Sequence, residues 1–368
     1  MPRASLLVTS CAVLFGVSAA CGARTGLPPP TCTGEPVGQV RQVPNLYFIL
    51  DRSGSMTEGS PSKWDVVRND IAALMTTLGK EAEFGAAWFP PPPPPGVRAG
   101  CVTGTEIMTL RLGDGRPASA AGSTANTFLT LTNVTPVGGT PTAETFVALT
   151  PKLKAVPGHT FAILATDGGP NCNLSLSCGV KECTLNIDSR NIGPFDGMKN
   201  YVCEPAGPSC CDPSAFGTGA QGNCLDGPRT VAAVAALAAA GVPTFAIGVP
   251  GSEAYSSILD QIAQVGGTAR ATNPPLYYKV NTANEHELVD ALDNIAARIA
   301  ASCEVELKHA PSADQANLVV AGKLVPQSGA NGWTVSGNFL TLLGKTCDEV
   351  RTVGEKVVVT EGCPTLVK

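Results

Sequence analysis

Apolar runs and amphipathic segments alternate along most of the chain. The runs 46–50, 160–166 and 242–249 are apolar at nearly every position, a pattern that predicts buried strands. Between the first two runs, apolar residues recur at steps of three and four from Trp64 to Leu78, which predicts a helix with one buried face. Strands that alternate with helices at short spacing predict an α/β fold with a doubly wound, mostly parallel sheet.

The same patterns place the remaining elements. Ser62, with Asp65 three residues later, predicts an N-cap for the first helix. Within the apolar stretch 231–249, the sequence Gly241-Val242-Pro243 predicts a helix that stops and a strand that follows, rather than a membrane span. Further strands are predicted at Glu83–Phe89 and Thr127–Leu131, and helices at Ala143–Leu153, Val231–Ala240, Ser256–Val265 and Glu285–Ala301.

Beyond residue 302 the pattern changes to short, β-prone segments separated by Gly, Asn and Ser. These segments predict a small antiparallel β module over 303–368, pinned by Cys303, Cys347 and Cys363. The strands are expected at Glu304–Leu307, Asn317–Val325, Trp333–Val335, Phe339–Leu343 and Lys356–Thr360.

Candidate chemistry begins where the first apolar run ends. The sequence Asp51-Arg52-Ser53-Gly54-Ser55 brings one carboxylate and two hydroxyls into a single loop, in which Gly54 permits a sharp turn. Magnesium, manganese and calcium prefer such hard oxygen donors, whereas zinc and copper favour nitrogen and sulfur. The loop is therefore a candidate site for a hard divalent cation.

Two further polar positions are expected beside this loop. Thr140 lies in the Gly-rich sequence that precedes the helix predicted from Ala143, and Asp167 ends the apolar run 160–166. In an open α/β sheet, ligands collect outside the carboxyl ends of the parallel strands. Asp51, Asp167 and Thr140 are therefore predicted to share one edge of the sheet. The alternative is that these residues serve only as helix caps and turn formers.

The ordered set of D-x-S-x-S, a distant Thr and a distant Asp resembles the metal-ion-dependent adhesion site of the von Willebrand factor A (vWA) family. Asp51, Ser53, Ser55, Thr140 and Asp167 match that site position by position, and the resemblance covers about residues 42 to 300. It implies a divalent cation, Mg²⁺ first and Mn²⁺ or Ca²⁺ as alternatives. It also implies that the hydroxyls bind the ion directly, that the aspartates act largely through water, and that an acidic residue of a protein partner completes the shell.

The amino terminus predicts export. Arg3 and the apolar run Ala4–Val17 have the pattern of a signal peptide over 1–20. The small residues before Cys21 resemble a bacterial lipobox, although Ser18 stands where that motif usually has Leu. The resemblance implies lipidation at Cys21, a tether over 21–41 and attachment to the cell envelope, at the outer membrane or cell surface. The alternative is ordinary signal cleavage and a soluble secreted or periplasmic protein.

Cysteine usage agrees with an oxidising compartment. Of 14 cysteines, Cys11 lies in the signal and Cys21 would be lipidated, which leaves 12, an even number suited to pairing. An odd number, seven, lies in a loop-rich segment that we call the Cys-rich insertion, residues 171–226, so at least one of them bonds outside it, to Cys101 or Cys32. A zinc site is the alternative, although the segment has no clean C-x-x-C pair and no His. The disulfide candidates are Cys32, Cys101, Cys172, Cys178, Cys183, Cys203, Cys210, Cys211, Cys224, Cys303, Cys347 and Cys363.

These features favour a vWA domain over 42–302 that binds a protein partner in adhesion and has no enzymatic activity. The net charge of −5 argues against a nucleic-acid surface. The three histidines, His159, His286 and His309, are scattered, and no H-E-x-x-H or G-x-S-x-G motif is present. Two alternatives stay open: a structural envelope protein whose metal stabilises the fold, and a metal-dependent enzyme.

Overall fold

The structure is a computed structural model that contains the protein chain alone. It describes residues 43–92, 100–192, 200–282, 284, 286–300, 304–307, 310–312, 314–320, 322–327, 330–347, 357–361 and 364–367. The predicted signal peptide, the predicted tether and four of the candidate cysteines therefore lie outside the described residues: Cys21, Cys32, Cys303 and Cys363.

A six-stranded sheet organises the larger part of the chain, in the order β3-β2-β1-β4-β7-β8. Neighbouring strands are parallel except for β3, which runs antiparallel to β2 at one edge. These strands span Asn45–Asp51 (β1), Glu83–Phe89 (β2), Thr105–Leu112 (β3), Thr160–Thr166 (β4), Thr244–Gly248 (β7) and Tyr278–Lys279 (β8), and the insertion adds the short pair Asn191–Ile192 (β5) and Tyr201–Val202 (β6). Helices α1 to α8 span Lys63–Leu78, Thr124–Leu131, Thr142–Leu153, Thr184–Ile187, Pro213–Phe216, Gly227–Ala239, Ser256–Val265 and Glu287–Ala300.

Helices cover both faces of this sheet, which confirms the predicted α/β, doubly wound fold class. One core cluster joins alternate residues of β1, such as Phe48, to α1, α2 and α8. A second cluster joins the intervening residues, such as Ile49, to α3, α6 and α7. All seven residues of β1 and of β4 are buried, as their continuous apolar sequences predicted.

One predicted strand is wrong. Thr127–Leu131 belongs to α2, whose N-cap Ser123 accepts a hydrogen bond from the backbone of Asn126. Thr127 and Thr130 donate their hydroxyls to carbonyls four residues earlier, at 2.8 Å each, and the ring of Phe128 is buried in the core. These contacts and burial outweigh the β preference of the Thr and Phe residues in this run. Two strands of the six-stranded sheet were not predicted: β3, an edge strand with mixed exposure, and β8, a strand of two residues at the other edge.

Disulfides form the interior of the Cys-rich insertion. The pairs are Cys101–Cys172, Cys178–Cys224, Cys183–Cys211 and Cys203–Cys210. The predicted bond that leaves the insertion is therefore confirmed, with Cys101 as the partner. The sulfurs of Cys178, Cys211 and Cys224 lie within 4.8 Å of one another. All three are consumed in disulfides and provide no thiolate for zinc.

The C-terminal part contains small antiparallel sheets, as predicted. One joins β10 (Ala316–Val320) to β11 (Lys323–Val325) and β14 (Val357–Glu361), and the other joins β13 (Phe339–Leu342) to β12 (Trp333–Ser336) and β9 (Glu304–Glu306). The run 317–325, predicted as one strand, is therefore a hairpin that turns at Gly322 with φ +75°. Cys347 is disulfide-bonded.

The apolar stretch that was predicted to break at Gly241 does so. Helix α6 ends at Ala239, and β7 begins at Thr244, two residues after Val242. Gly241 adopts φ +89°, a left-handed conformation that ends the helix. Among the described residues, no helix has the length and apolarity needed to cross a bilayer.

The disulfide assignment predicts the thiol content of the purified mature protein. Denatured without reductant, the protein should show no labelled cysteine in mass spectrometry, because each bonded sulfur is unavailable to the label. After reduction, labels should appear throughout residues 172–224. Several labelled cysteines in that segment before reduction would contradict the pairing and return the zinc alternative.

Candidate metal centre

Three loops meet at the carboxyl edge of the sheet. Asp51 is the last residue of β1, and Asp167 directly follows β4, the parallel neighbour of β1. The loop before α3 joins them, because the backbone N–H of Gly54 donates to the carbonyl of Gly138 at 3.1 Å. Gly138 has φ +95°, a conformation that favours glycine. The structure thus brings together the loops that carry the predicted site residues.

Hydrogen bonds hold four of the predicted site residues: Asp51, Ser53, Ser55 and Asp167. Ser55 donates its hydroxyl to Asp167 Oδ1 at 2.8 Å, and the Oγ atoms of Ser53 and Ser55 are 3.0 Å apart. The backbone N–H of Ser53 donates to Asp51 Oδ1 at 2.8 Å, and Thr166 Oγ1 donates to Asp51 Oδ2 at 2.6 Å. The carboxylates are therefore held in place by the hydroxyl-bearing loop and by the end of β4.

Thr140, the fifth residue, is positioned by the first residue of the Cys-rich insertion. Its backbone N–H donates to Asn171 Oδ1 at 2.8 Å, and the N–H of Asn171 donates back to the Thr140 carbonyl at 2.9 Å. A Cβ atom on Gly139 would lie 2.7 Å from Cys172 Sγ, so glycine is needed there beside the disulfide. The insertion is therefore part of the architecture of the site.

Both carboxylates are buried, more deeply than a position at the sheet edge suggests. Asp51 is 0% exposed and Asp167 is 2% exposed. Burial, followed by the nearby Asp167 carboxylate, raises the pKa of Asp51 to about 7. Burial also raises the pKa of Asp167, while Lys63 and Ser55 act in the opposite direction. The pair therefore carries negative charge that its surroundings stabilise poorly.

A lysine that the sequence did not identify contacts Asp167 of this pair. Lys63 Nζ lies 2.7 Å from Asp167 Oδ2 and 2.8 Å from Glu58 Oε2. Glu58 also binds Arg190 of the insertion, whose guanidinium lies 3.7 Å from Asp188. Although burial opposes its charged form, Asp167 and Glu58 raise the pKa of Lys63, which is therefore an ammonium. The sequence did contain one signal, a lysine at the first position of a helix, where the macrodipole disfavours a cation.

A cavity of about 640 Å³ opens on these loops. Ser53, Ser55 and Thr140 line it, whereas Asp51 and Asp167 lie behind the serines to which they are hydrogen-bonded. Residues of the Cys-rich insertion also line the cavity, and some of them are apolar. The wall residues include Thr184, Leu185, Asp188, Arg190, Ile192 and Phe216.

The donor set fits a hard divalent cation. Three hydroxyl-bearing residues line the cavity and two carboxylates adjoin their loops through hydrogen bonds, so every side-chain donor is an oxygen atom. The raised pKa of Asp51 shows that the site favours neutralisation, which a divalent cation would supply. Ser53, Ser55 and Thr140 would hold the ion directly, and Asp51 and Asp167 would supply charge from the second layer.

Binding of Mg²⁺ should release a proton near neutral pH. The pKa of Asp51 lies at about 7 in the metal-free protein, and a bound cation requires the ionised carboxylate. Apparent affinity should therefore rise as the pH increases through about 7 and level off above it. Calorimetry at pH of about 6.5, in buffers of different ionisation enthalpy, measures the released proton. Equal observed enthalpies in those buffers would contradict this expectation.

Among known proteins, the chain is similar only to solved structures. No protein-family model and no curated protein matches the chain. The chain is similar to the pilus adhesin SpaC from Lactobacillus rhamnosus GG, with 16% identity and a TM-score of 0.43 over 88% of this chain. The PilB minor pilin from Streptococcus sanguinis gives 15% identity and a TM-score of 0.43 over 71%.

The vWF domain of the type V pili tip protein Mfa5 from Porphyromonas gingivalis gives 12% identity and a TM-score of 0.42 over 70% of this chain. These matches cover 40% of the SpaC chain, 63% of the PilB chain and 94% of the Mfa5 chain. At such identities and TM-scores, the likeness carries no residue roles to this chain. Its function is therefore inferred from its own residues.

Proposed function

We propose that this chain is a cell-envelope-anchored binding module of the vWA type that engages a partner protein through a divalent cation. The observation that supports the proposal is the joint placement of Asp51, Ser53, Ser55, Thr140 and Asp167 beside one open cavity. Ser53, Ser55 and Thr140 line the cavity, so a cation held by them would be accessible to a ligand from outside. The bound cation would serve as a point of attachment for the partner, without a reaction at the site.

The cation proposed is Mg²⁺, with Mn²⁺ or Ca²⁺ as alternatives. Three of the five donors are neutral, and both carboxylates are buried behind the serines. Compared with a calcium loop that has several direct carboxylates, such a set should bind its ion modestly and leave exchangeable water positions. A carboxylate from a partner can replace one of those waters and add charge that the ion still lacks.

The cavity limits the shape of the partner. Residues of the Cys-rich insertion line the same cavity as Ser53, Ser55 and Thr140, so a partner has to enter this cavity to reach a cation held there. The partner proposed is a protein that presents an Asp or Glu on a protruding loop or chain end. Apolar wall residues such as Ile192 and Phe216 favour an apolar side chain next to that acidic residue.

A cation-dependent capture experiment tests this function. The purified protein is immobilised and exposed to envelope and surface proteins in Mg²⁺, in chelator, and in chelator followed by excess Mn²⁺. We expect one specific partner to be retained in Mg²⁺, released by the chelator and recovered with Mn²⁺. If the protein binds Mg²⁺ but retains every partner equally in chelator, the metal has only the structural role of the alternative hypothesis.

Attachment to the envelope is tested at Cys21. Expressed in a bacterium with its own leader, the protein should partition into the detergent phase, because the several acyl chains of a bacterial lipoprotein hold far more firmly than one. Cys21→Ser should release the protein into the aqueous phase or leave the leader uncleaved. Recovery of the wild-type protein in the soluble periplasmic fraction would contradict the lipid anchor and favour ordinary signal cleavage.

A further inference from the structure

The ammonium of Lys63 is buried at a position where α1 does not stabilise its positive charge. Only 8% of its side chain is exposed, and the Asp167 side chain that it contacts is 0% exposed. Lys63 is the first residue of α1, where the positive end of the helix macrodipole disfavours a cation. A buried ammonium is retained only where carboxylates compensate for its lost hydration. Asp167 and Glu58 are those carboxylates.

The neighbouring backbone leaves room for this ammonium. Gly251 has φ +108°, and a Cβ atom there would lie 3.2 Å from Lys63 Nζ and 2.8 Å from the carbonyl of Asp167. A larger residue would therefore press on the ion pair. Glu58, the second acceptor, is itself held by Arg190 of the insertion. The ammonium is thus fixed from three sides at the second carboxylate of the metal centre.

We propose that Lys63 is a built-in counter-cation of the metal centre: it neutralises Asp167 in the metal-free protein and weakens the binding of the divalent cation. The inference rests on the proposed metal site and concerns the charge that remains after loading. Asp51, Asp167 and Lys63 together have a formal charge of −1, the sum of −1, −1 and +1. Glu58, Asp188 and Arg190 adjoin this group and add a formal charge of −1 whether or not Lys63 is present.

This charge has two consequences for function. A divalent cation balances the two carboxylates Asp51 and Asp167, and Lys63 makes the loaded centre one unit more positive than the same centre without the lysine. The lysine therefore reduces metal affinity and increases the attraction for an anionic group of a partner. Lys63 also holds the Asp167 side chain in place before the metal arrives. Asp167 accepts one hydrogen bond from Lys63 and another from Ser55, so Ser55 is held in place as well.

The test uses Lys63→Met, with exposed Lys80→Met as the matched control. Calorimetry with Mg²⁺ alone, and then with Mn²⁺ alone, should show at least about tenfold tighter binding for Lys63→Met and no change for Lys80→Met. In chelator, Lys63→Met should unfold several degrees below wild type, since Asp167 then lacks its counter-charge. Added Mg²⁺ should restore more stability to this variant than to wild type.

A double variant keeps the inference testable if Lys63→Met folds poorly. Lys63→Met combined with Asp167→Asn removes both charges and should recover most of the metal-free thermal midpoint. An unchanged Mg²⁺ affinity and an unchanged metal-free midpoint in Lys63→Met would overturn the role of Lys63. The same holds if Lys63→Met does not fold and neither Mg²⁺ nor Asp167→Asn rescues it.

The metal site itself is judged separately. If neither wild type nor Lys63→Met binds Mg²⁺ or Mn²⁺, the proposed cation site is wrong and the inference falls with it. If only Lys63→Met binds, the ammonium takes the place of the metal in this protein. That outcome supports the counter-cation and overturns the cation-dependent function.

Discussion

Asp51→Asn is expected to remove Mg²⁺ binding while it makes the metal-free protein more stable. The amide keeps an oxygen that accepts from the Ser53 backbone and is equal in size to the carboxylate, but it supplies no charge to the cation. Mg²⁺ affinity should fall by about tenfold to a hundredfold, which takes a site of modest affinity out of the measurable range. Asp167→Asn should have the same effect on affinity, because it removes the other carboxylate of the centre.

The gain in stability follows from the sign of the pKa shift. The pKa of Asp51 rises from 3.8 to about 7 on folding, so between about pH 4 and 7 the native state holds a proton that the unfolded chain has lost. Stability of the metal-free protein therefore falls as the pH rises through this window, and above it the ionised carboxylate is destabilising by a few kcal/mol. Asparagine avoids that penalty.

The measurement is urea unfolding in chelator at pH of about 8, beside calorimetry with Mg²⁺ and circular dichroism. Exposed Asp293→Asn is the control and should leave both quantities unchanged. If Asp51→Asn binds Mg²⁺ and its partner as wild type does, the adhesion-site assignment is wrong and only the fold remains. If it loses Mg²⁺ and stability together, Asp51 has a structural role that its burial alone does not explain.

The sequence predicted the parts of the site whose residues lie on continuous elements. Strands β1 and β4 are buried on both faces, so each reads as an unbroken apolar run whose end marks Asp51 or Asp167. Parallel neighbours end at the same edge, which is why two aspartates 116 positions apart were expected together. The motif residues and the sheet topology therefore support each other.

Residues that act through tertiary contacts were not predicted. Lys63 and Asp167 are 104 positions apart, and no local pattern relates them. Cys172 has its partner in Cys101, and cysteine spacing alone left Cys32 equally open. Edge strand β3 has only one buried residue among eight, so it lacks the apolar run by which its neighbours were recognised.

Helix α2 was mistaken for a strand for a related reason. Its Thr and Phe residues favour a strand in isolation, and the deciding contacts are tertiary or lie before the run, in the burial of Phe128 and the Ser123 cap. A cap signal before the run was present in the sequence. The Ser123 cap is a weak signal alone. It becomes decisive once β3 is known to be the edge strand beside β2, because the sheet then needs no strand at 127–131.

The second large effect is expected from removing the disulfide between Cys101 and Cys172. In the chain-entropy description, this bond, with its separation of 71 residues, stabilises the fold by about 4 kcal/mol, whereas Cys203–Cys210, with a separation of 7, contributes about 2 to 3 kcal/mol. Replacing both cysteines of each pair with serine avoids new thiols. Denaturant unfolding of the two double variants measures the difference.

The two disulfides should differ more in metal binding than in stability. Cys172 directly follows Asn171, whose side chain and backbone hold Thr140, and its sulfur packs against Gly139. Loss of the Cys101–Cys172 bond should therefore loosen one direct donor and weaken Mg²⁺ binding severalfold. The Cys203–Cys210 variant is expected to keep wild-type affinity, because that bond closes a short loop within the insertion. Equal Mg²⁺ affinity in both variants would show that the sheet and α3 alone position Thr140, and that the insertion only walls the cavity.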